Sequence, residues 1–513
     1  MKITLISTAT FPSDQGIRTI SGVLKKAGHD VQIIFMTYSE DYSKFYTKKE
    51  LNQLLAICKN SDFIGISSYA STAPRAIQII KFLEKKIQAP LVWGGVHATI
   101  SPEHCIKYVD VVCVGEGEQA ILDIIGAIEN KKSFDKIKNL WIKDKVKDKI
   151  IKNPVREVIE NLDELPFADY DIQNHYILEK HNLRKFREED LAGQIFFLTG
   201  RGCPYGCTYC SNNLFNKLYK GKCKSIVRWH SSDYILNCIL SLKKKFKTLH
   251  YFDIRDDTFS LRPLSQIKDF CEKYKQKIHM RFKCLGDPKT ISEDKIKLLV
   301  DAGCTDIIIG IQGTERVNKE IYLRNQTNAD ILTAGKIINK YKDKLTVMYD
   351  VITCNPYEKP EDILDMIRLL QKIPKPYYLS VNNLVFFPGS GLYEKAKDDP
   401  ELKEQILKSS KLNYWDRSKH ILLKKKNMYL VLILNLMRGS VTEKRFGSMP
   451  NFLIDYLLQS ERVKKNLKNP TFTYFVLFFV GISDKIRENI IKQIYRSMPV
   501  NFKVWYDKIR YKI

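Results

Sequence analysis

The sequence predicts an α/β protein: two successive strand–helix regions, then a basic helical region at the C-terminal end. Three observations carry this. Short apolar runs alternate with amphipathic stretches over residues 1–130, and again from 194 to about 397. Polar or Gly-rich turns fall where the apolar runs of the first region end. After Pro400 the alternation stops and Lys and Arg accumulate. Strands alternating with helices at this spacing build βαβ units and a parallel sheet, which binds ligands at the carboxyl ends of its strands.

In the first region, residues 1–135, strands are predicted over 2–7, 30–35, 62–67, 90–93 and 109–114, with helices over 17–27 and 73–85. Its strand-end turns are Ser67-Ser68, Gly94-Gly95-Val96-His97 and Gly115-Glu116-Gly117-Glu118. The opening MKITLISTATFPSDQG lacks a long apolar core and reads as a first strand rather than a signal peptide. Residues 136–190 are Lys-rich and irregular and read as a linker, with a connector at 161–166. In the second region, residues 191–397, strands are predicted over 195–199, 248–254, 278–284, 306–311, 346–353 and 378–387, and helices over 292–302 and 360–372. Six strand–helix repeats predict a partial or full α/β barrel of the TIM type. Residues 398–513 are predicted helical, with apolar runs at 428–437 and 472–482. Both fall well short of the roughly 20 residues of a helical membrane span. They read as buried core helices or as helices lying on a membrane surface.

The chain has 513 residues, 44% hydrophobic and 28% charged, which suits a globular protein of two or three domains. Its net charge of +26 is unusual, and residues 401–513 hold 23 Lys and Arg against 9 Asp and Glu. A lysine-coated surface, an anionic membrane, an acidic partner or a nucleic acid are the readings of such an excess, and its concentration at one end favours a local cause. Nine of the twelve cysteines show no pairing pattern, which suits a reducing cytoplasmic location where clustered thiols bind metal.

The most specific segment is Thr199-Gly-Arg-Gly-Cys203-Pro-Tyr-Gly-Cys207-Thr-Tyr-Cys210. Three thiolates within eight residues, directly after a predicted strand, can converge on one metal centre, and thiolates are the ligands of iron–sulfur clusters. Gaps of three and two residues are not the paired C-x-x-C of a zinc ribbon. A zinc site here would have to recruit a distant fourth ligand, such as His230 or Cys223. Gly202 and Gly206 let the backbone wrap close to a cluster.

This C-x-x-x-C-x-x-C loop resembles that of the radical S-adenosylmethionine (SAM) superfamily. The resemblance implies that Cys203, Cys207 and Cys210 hold a [4Fe–4S] cluster whose open iron chelates SAM, and that electron transfer releases a 5′-deoxyadenosyl radical. It places Tyr209 among the SAM contacts. Asp253-Ile-Arg-Asp256-Asp257-Thr-Phe looks like the family segment that meets the methionine amine, with Asp256 and Asp257 as contacts. Ile309-Gly-Ile-Gln312-Gly looks like the strand that approaches the ribose; the family often has Glu where Gln312 stands, and an amide still bonds a hydroxyl. Asp350-Val-Ile-Thr-Cys-Asn-Pro-Tyr resembles the strand passing adenine, without the usual Gly-rich ending. The family's arginine for the SAM carboxylate is missing near Leu285-Gly286, leaving Lys283 and Arg324 as candidates.

The first region resembles the Rossmann-like cobalamin-binding domain fused to one large radical SAM class. The matching stretches are residues 16–31, Gly94 to Thr99, Val114 to Glu118, and the connector Leu-Asp-Glu-Leu-Pro-Phe-Ala-Asp-Tyr at 162–170. Ser67, Gly94, Gly95, His97, Gly115 and Glu116 are the candidate cobalamin contacts, because small residues at strand ends seat a flat macrocycle edge-on. The Asp-x-His-x-x-Gly signature of base-off carriers is absent, so His97 is not assigned to cobalt. The resemblance implies a cobalamin-dependent radical SAM enzyme that methylates an unactivated carbon, with cyclisation, rearrangement or a cobalamin-free relative as alternatives. A tRNA methylthiotransferase fits less well: Cys58, Cys105 and Cys113 do not match its second cluster site, and no RNA-binding barrel follows, so nucleic acid is not the expected partner. The expected partners are a small-molecule or lipid-linked substrate, a flavodoxin- or ferredoxin-type electron donor and a peripheral anionic membrane.

Overall fold

A strand covered on both faces reads as a near-continuous apolar run, and five such strands form the centre of the first sheet. They are β1 (Lys2–Ser7), β2 (Asp30–Phe35), β3 (Phe63–Ser67), β4 (Leu91–Gly94) and β5 (Val111–Cys113), all parallel, in the order β5-β4-β3-β1-β2. The order reverses at β1, so the carboxyl ends of β1 and β3 flank the switch point where such sheets bind ligands. Ile34, Ile64, Ile66, Ile79, Ile80 and Trp93 are core side chains here. This computed structural model describes residues 1–37, 45–410, 427–437 and 450–469.

The stretch read as a linker contributes two short hairpins to the first sheet. β6 (Leu140–Asp144) and β7 (Lys149–Lys152) form an antiparallel hairpin beside β5. β8 (Tyr176–Glu179) lies parallel to β2, with β9 (Asn182–Lys185) antiparallel beyond it. The complete order is β7-β6-β5-β4-β3-β1-β2-β8-β9. Short, half-exposed edge strands carry lysines instead of an apolar run, so pattern reading passes over them. Between the hairpins, the connector clamps the helix Gln15–Lys26. The buried Arg18 guanidinium donates to the carbonyls of Pro12 (2.9 Å) and Asp169 (2.6 Å), between the rings of Phe35 and Tyr170. The Asp169 carboxylate takes Ser21 Oγ (2.6 Å), Lys25 Nζ (2.8 Å) and His175 Nε2 (3.2 Å). Burial works against that carboxylate, but His175, Lys25 and Ser21 together hold its pKa far below the usual range.

The second sheet contains β10 (Gln194–Phe197), β13 (Tyr251–Ile254), β14 (Arg281–Gly286), β15 (Cys304–Gln312), β16 (Thr346–Thr353) and β17 (Tyr378–Asn383), in sequence order. A third, two-stranded sheet pairs β11 (Gly200–Arg201) with β12 (Arg228–Trp229). Among the described residues, six strands in sequence order, parallel from β13 to β17, make a partial α/β barrel rather than the full eight. The helix Met428–Leu436, from the first apolar run, is buried from Met428 to Leu434 and packs on the helix Pro360–Lys372: a core helix. The second run, 472–482, lies outside the described residues. No described helix is long and apolar enough to cross a membrane. The chain forms two compact units. Among the described residues, one comprises 1–37, 45–191, 196–242 and 385–410; the other comprises 192–195, 243–384, 427–437 and 450–469. The cysteine loop therefore folds with the nine-stranded sheet.

Candidate active site

The cysteine loop starts at the end of β11. Gly202 has φ +86°, and a Cβ there would lie 2.0 Å from the Ile226 carbonyl oxygen, so no other residue fits without moving backbone. Gly206 is different: the nearest atom to its Cβ position is Asn213 Nδ2 at 3.7 Å. The helix Asn212–Leu218 ties the loop from one side. Asn216 Nδ2 donates to the Cys203 (3.0 Å) and Tyr205 (3.3 Å) carbonyls, and Asn213 Nδ2 donates to that of Gly206 (2.7 Å). From the other side the Leu392 N–H donates to the Thr208 carbonyl (2.9 Å). Cys203 and Cys207 are buried, while Tyr209 and Cys210 are half-buried. All twelve cysteines are free thiols. The Asn212 N–H points at Cys210 Sγ (3.5 Å), a contact of the kind that tunes cluster potential.

In the same unit the ends of β3 and β4 meet. A Cβ on Gly95 would stand 2.7 Å from Ser67 Oγ, and the His97 N–H donates to the Ser68 carbonyl (3.1 Å). Gly94 ends β4 beside them. Gly115 and Glu116, in the turn after β5, are engaged with other side chains of the same unit. Tyr219 Oη accepts the Glu116 N–H (2.6 Å) and fills the space a Gly115 side chain would need. The Glu116 carboxylate pairs with Arg228 (2.5 Å) and Arg201 (3.3 Å), and Glu118 pairs with Arg201 (2.5 Å). Burial opposes the Glu116 charge, but the Arg228 hydrogen bond and the Arg201 charge prevail and keep its pKa low. These residues lock the cysteine-loop strands onto the β5 edge, so that carboxylate is already committed.

The second unit shows backbone strain at its strand ends. Gln312 closes β15 at φ +64°, after a register slip following Gly310, and Cys354 follows β16 at φ +60°. Left-handed non-glycine residues cost about 1–3 kcal/mol each and collect at functional sites. Asp350 on β16 is half-buried; burial pushes its pKa up against a Ser380 hydrogen bond and the charges of Arg255 and Lys283. The other expected contacts are more committed. Asp256 forms a buried ion pair with Arg262 (3.0 Å), and Asp257 is exposed. Lys283 pairs with Asp253 (2.7 Å), and Arg324 with Asp287.

Comparison with known proteins settles the family. Residues 1–125 match the B12 binding domain, and residues 197–370 match the radical SAM superfamily. The chain belongs to the B12-dependent radical SAM enzymes. It is 24% identical over 426 residues to an uncharacterized methyltransferase of Pyrococcus horikoshii, covering 77% of this chain and 84% of that one. It is 21% identical to the bacteriochlorophyllide d C-8(2)-methyltransferase of Chlorobaculum tepidum, over 66% of this chain and 68% of the relative. Its fold matches the radical SAM methyltransferase TsrM of Kitasatospora setae with a TM-score of 0.62 at 14% identity, over 78% of this chain and 77% of that one.

The cofactors of a B12-dependent radical SAM enzyme are a [4Fe–4S] cluster, SAM and cobalamin, and this chain's residues fit them. Three reduced thiols on a loop fixed by Gly202 would hold the cluster, thiolates being its usual donors. At the switch point Phe11 and Tyr69, 50% and 43% exposed after β1 and β3, offer apolar rings suited to a flat corrin. Neither is among the candidates read from the sequence, nor is the buried Asp14 that accepts from Ser7 Oγ (2.7 Å) and whose charge is the main cause pushing the Tyr69 hydroxyl pKa up. The signal for them is polar and aromatic residues in the turns that follow the first and third strands.

Proposed function

We propose that this enzyme transfers a methyl group to an unactivated carbon of a small-molecule or lipid-linked substrate. The observation that carries the reading is the presence, within one compact unit, of the three-cysteine loop and a B12-binding sheet edge; the methyltransferase names of the relatives support it. When bound, the cluster and corrin supply SAM cleavage and the methyl carrier. The chain's own part is positional. Cys203, Cys207 and Cys210 hold the cluster. Tyr209, Gln312 and Asp350 orient SAM. Ser67, Gly94, Gly95, Phe11 and Tyr69 seat the corrin. Gly115 and Glu116 fix the cysteine-loop strands. A flavodoxin- or ferredoxin-type donor suits the basic chain, since acidic partners are steered to it electrostatically. A peripheral membrane contact rests on the exposed Phe452, Leu453 and Tyr456 beside the helix Ser460–Lys468, which carries Arg462, Lys464, Lys465 and Lys468.

The test is turnover of trideuteromethyl SAM by reconstituted enzyme in extracts of the source cells. Methyl transfer predicts S-adenosylhomocysteine and 5′-deoxyadenosine together, with a labelled product. 5′-Deoxyadenosine without S-adenosylhomocysteine or label would replace methylation with cyclisation or rearrangement.

A further inference from the structure

The segment after β4 gathers three donors that the reaction leaves unused. His97 lies on the helix Gly95–Ile100, and His104 and Cys105 lie on the turn Pro102–Cys105 that follows. One donor atom from each falls within 4.8 Å of the others, and His97 Nε2 stands 3.2 Å from His104 Nδ1. Cys105 is fully buried, His97 nearly so and His104 half-buried, which leaves one open side for entry. The residue joining the two helices adds a second observation. The Ser101 carbonyl accepts the N–H groups of His104 (3.1 Å) and Cys105 (3.2 Å), while its own hydroxyl is buried with no hydrogen-bond partner among the described residues.

A buried cysteine alone is ordinary core packing, and a histidine pair alone is an ordinary hydrogen bond. Two imidazoles and a thiol converging beside an unsatisfied hydroxyl are more than either. Zinc holds nitrogen at about 2.0–2.1 Å and sulfur at about 2.3 Å, so tetrahedral donors stand about 3.3–3.6 Å apart. The two histidines are already at nearly that spacing, and small rotations bring the thiol in. A buried hydroxyl without a partner is unfavourable, and a zinc-bound water would give it one.

We propose that His97, His104 and Cys105 bind one zinc ion, with a water in the fourth position held by Ser101 Oγ. On binding, the Cys105 thiol releases its proton to solvent and coordinates as thiolate. His97 then serves zinc rather than the corrin, and the ion staples the two short helices that follow the Gly94-Gly95 turn.

The experiment is equilibrium dialysis of the full chain, with its iron–sulfur cluster reconstituted, against zinc, followed by metal analysis. The expected result is one zinc per chain at full iron content, kept by Cys113→Ser. Removing an outer-shell partner weakens a zinc site about 10–100-fold, so loss of a direct ligand in His104→Asn should weaken it by more. His104 is half-buried, so this variant spares the core; Cys105→Ser provides the second ligand deletion. No zinc uptake by wild type at full iron, or unchanged uptake by folded His104→Asn, overturns the proposal.

Discussion

Substituting Gly202 with alanine tests whether the cysteine loop is shaped as described. The new Cβ meets two separate costs. A left-handed φ costs an L-residue about 1–2 kcal/mol. The Cβ would also lie 2.0 Å from the Ile226 carbonyl oxygen, so the loop or the chain at Ile226 must move by more than about 1 Å to restore contact distance. Together these exceed about 3 kcal/mol, a hundredfold or more in the population of the cluster-ready loop, at about 1.4 kcal/mol per factor of ten. Gly206→Ala is the internal control, because its Cβ has room. The assay is iron and sulfide per chain after anaerobic reconstitution at limiting iron, alongside thermal melting. Gly206→Ala should load fully, and Gly202→Ala should load less than half while keeping the fold of the nine-stranded sheet. Full loading and unchanged melting of Gly202→Ala would refute the reasoning.

Three further outcomes follow from the same structure. Glu116→Gln leaves the buried Arg228 without its carboxylate, and should cost about 2–3 kcal/mol, read as a lower urea midpoint for the first unfolding transition; an unchanged midpoint contradicts the locking role. Glu358 is buried, which pushes its pKa up to about 8 from 4.5. The folded state therefore favours its neutral form, and stability falls as pH rises from 4.5 through about 8. Glu358→Gln should be more stable than wild type at pH 8 and equal to it at pH 4, checked by melting at both. Finally, wild type should float with anionic vesicles at low salt and not at high salt; Phe452→Ser with Tyr456→Ser should weaken this several-fold, and equal flotation of the variant removes the surface contact.

What the sequence reveals tracks how local the cause is. β2 and β16 come out at their exact predicted limits because each is a long apolar or alternating run between turn signals. The cysteine loop is legible because its three donors sit within eight residues. The hairpins of residues 136–190 are not, since lysines on edge strands hide the alternation. Glu116 reads as a corrin contact from its place in a strand-end turn; its ion-pair partners Arg201 and Arg228 lie far along the chain, and only folding brings them near. The left-handed conformations of Gln312 and Cys354 leave no trace in residue type, because neither is glycine. The split of residues 191–397 between two units is equally invisible, since it depends on which sheet each segment packs against.

The central claim is that one chain uses cluster, SAM and corrin together. The most direct measurement is anaerobic incubation of reconstituted protein with SAM, cobalamin and reductant, following 5′-deoxyadenosine by mass spectrometry beside bound iron and corrin. The account predicts stoichiometric corrin, 5′-deoxyadenosine from wild type and none from Cys203→Ala. Wild type with an intact cluster that releases no 5′-deoxyadenosine would contradict it.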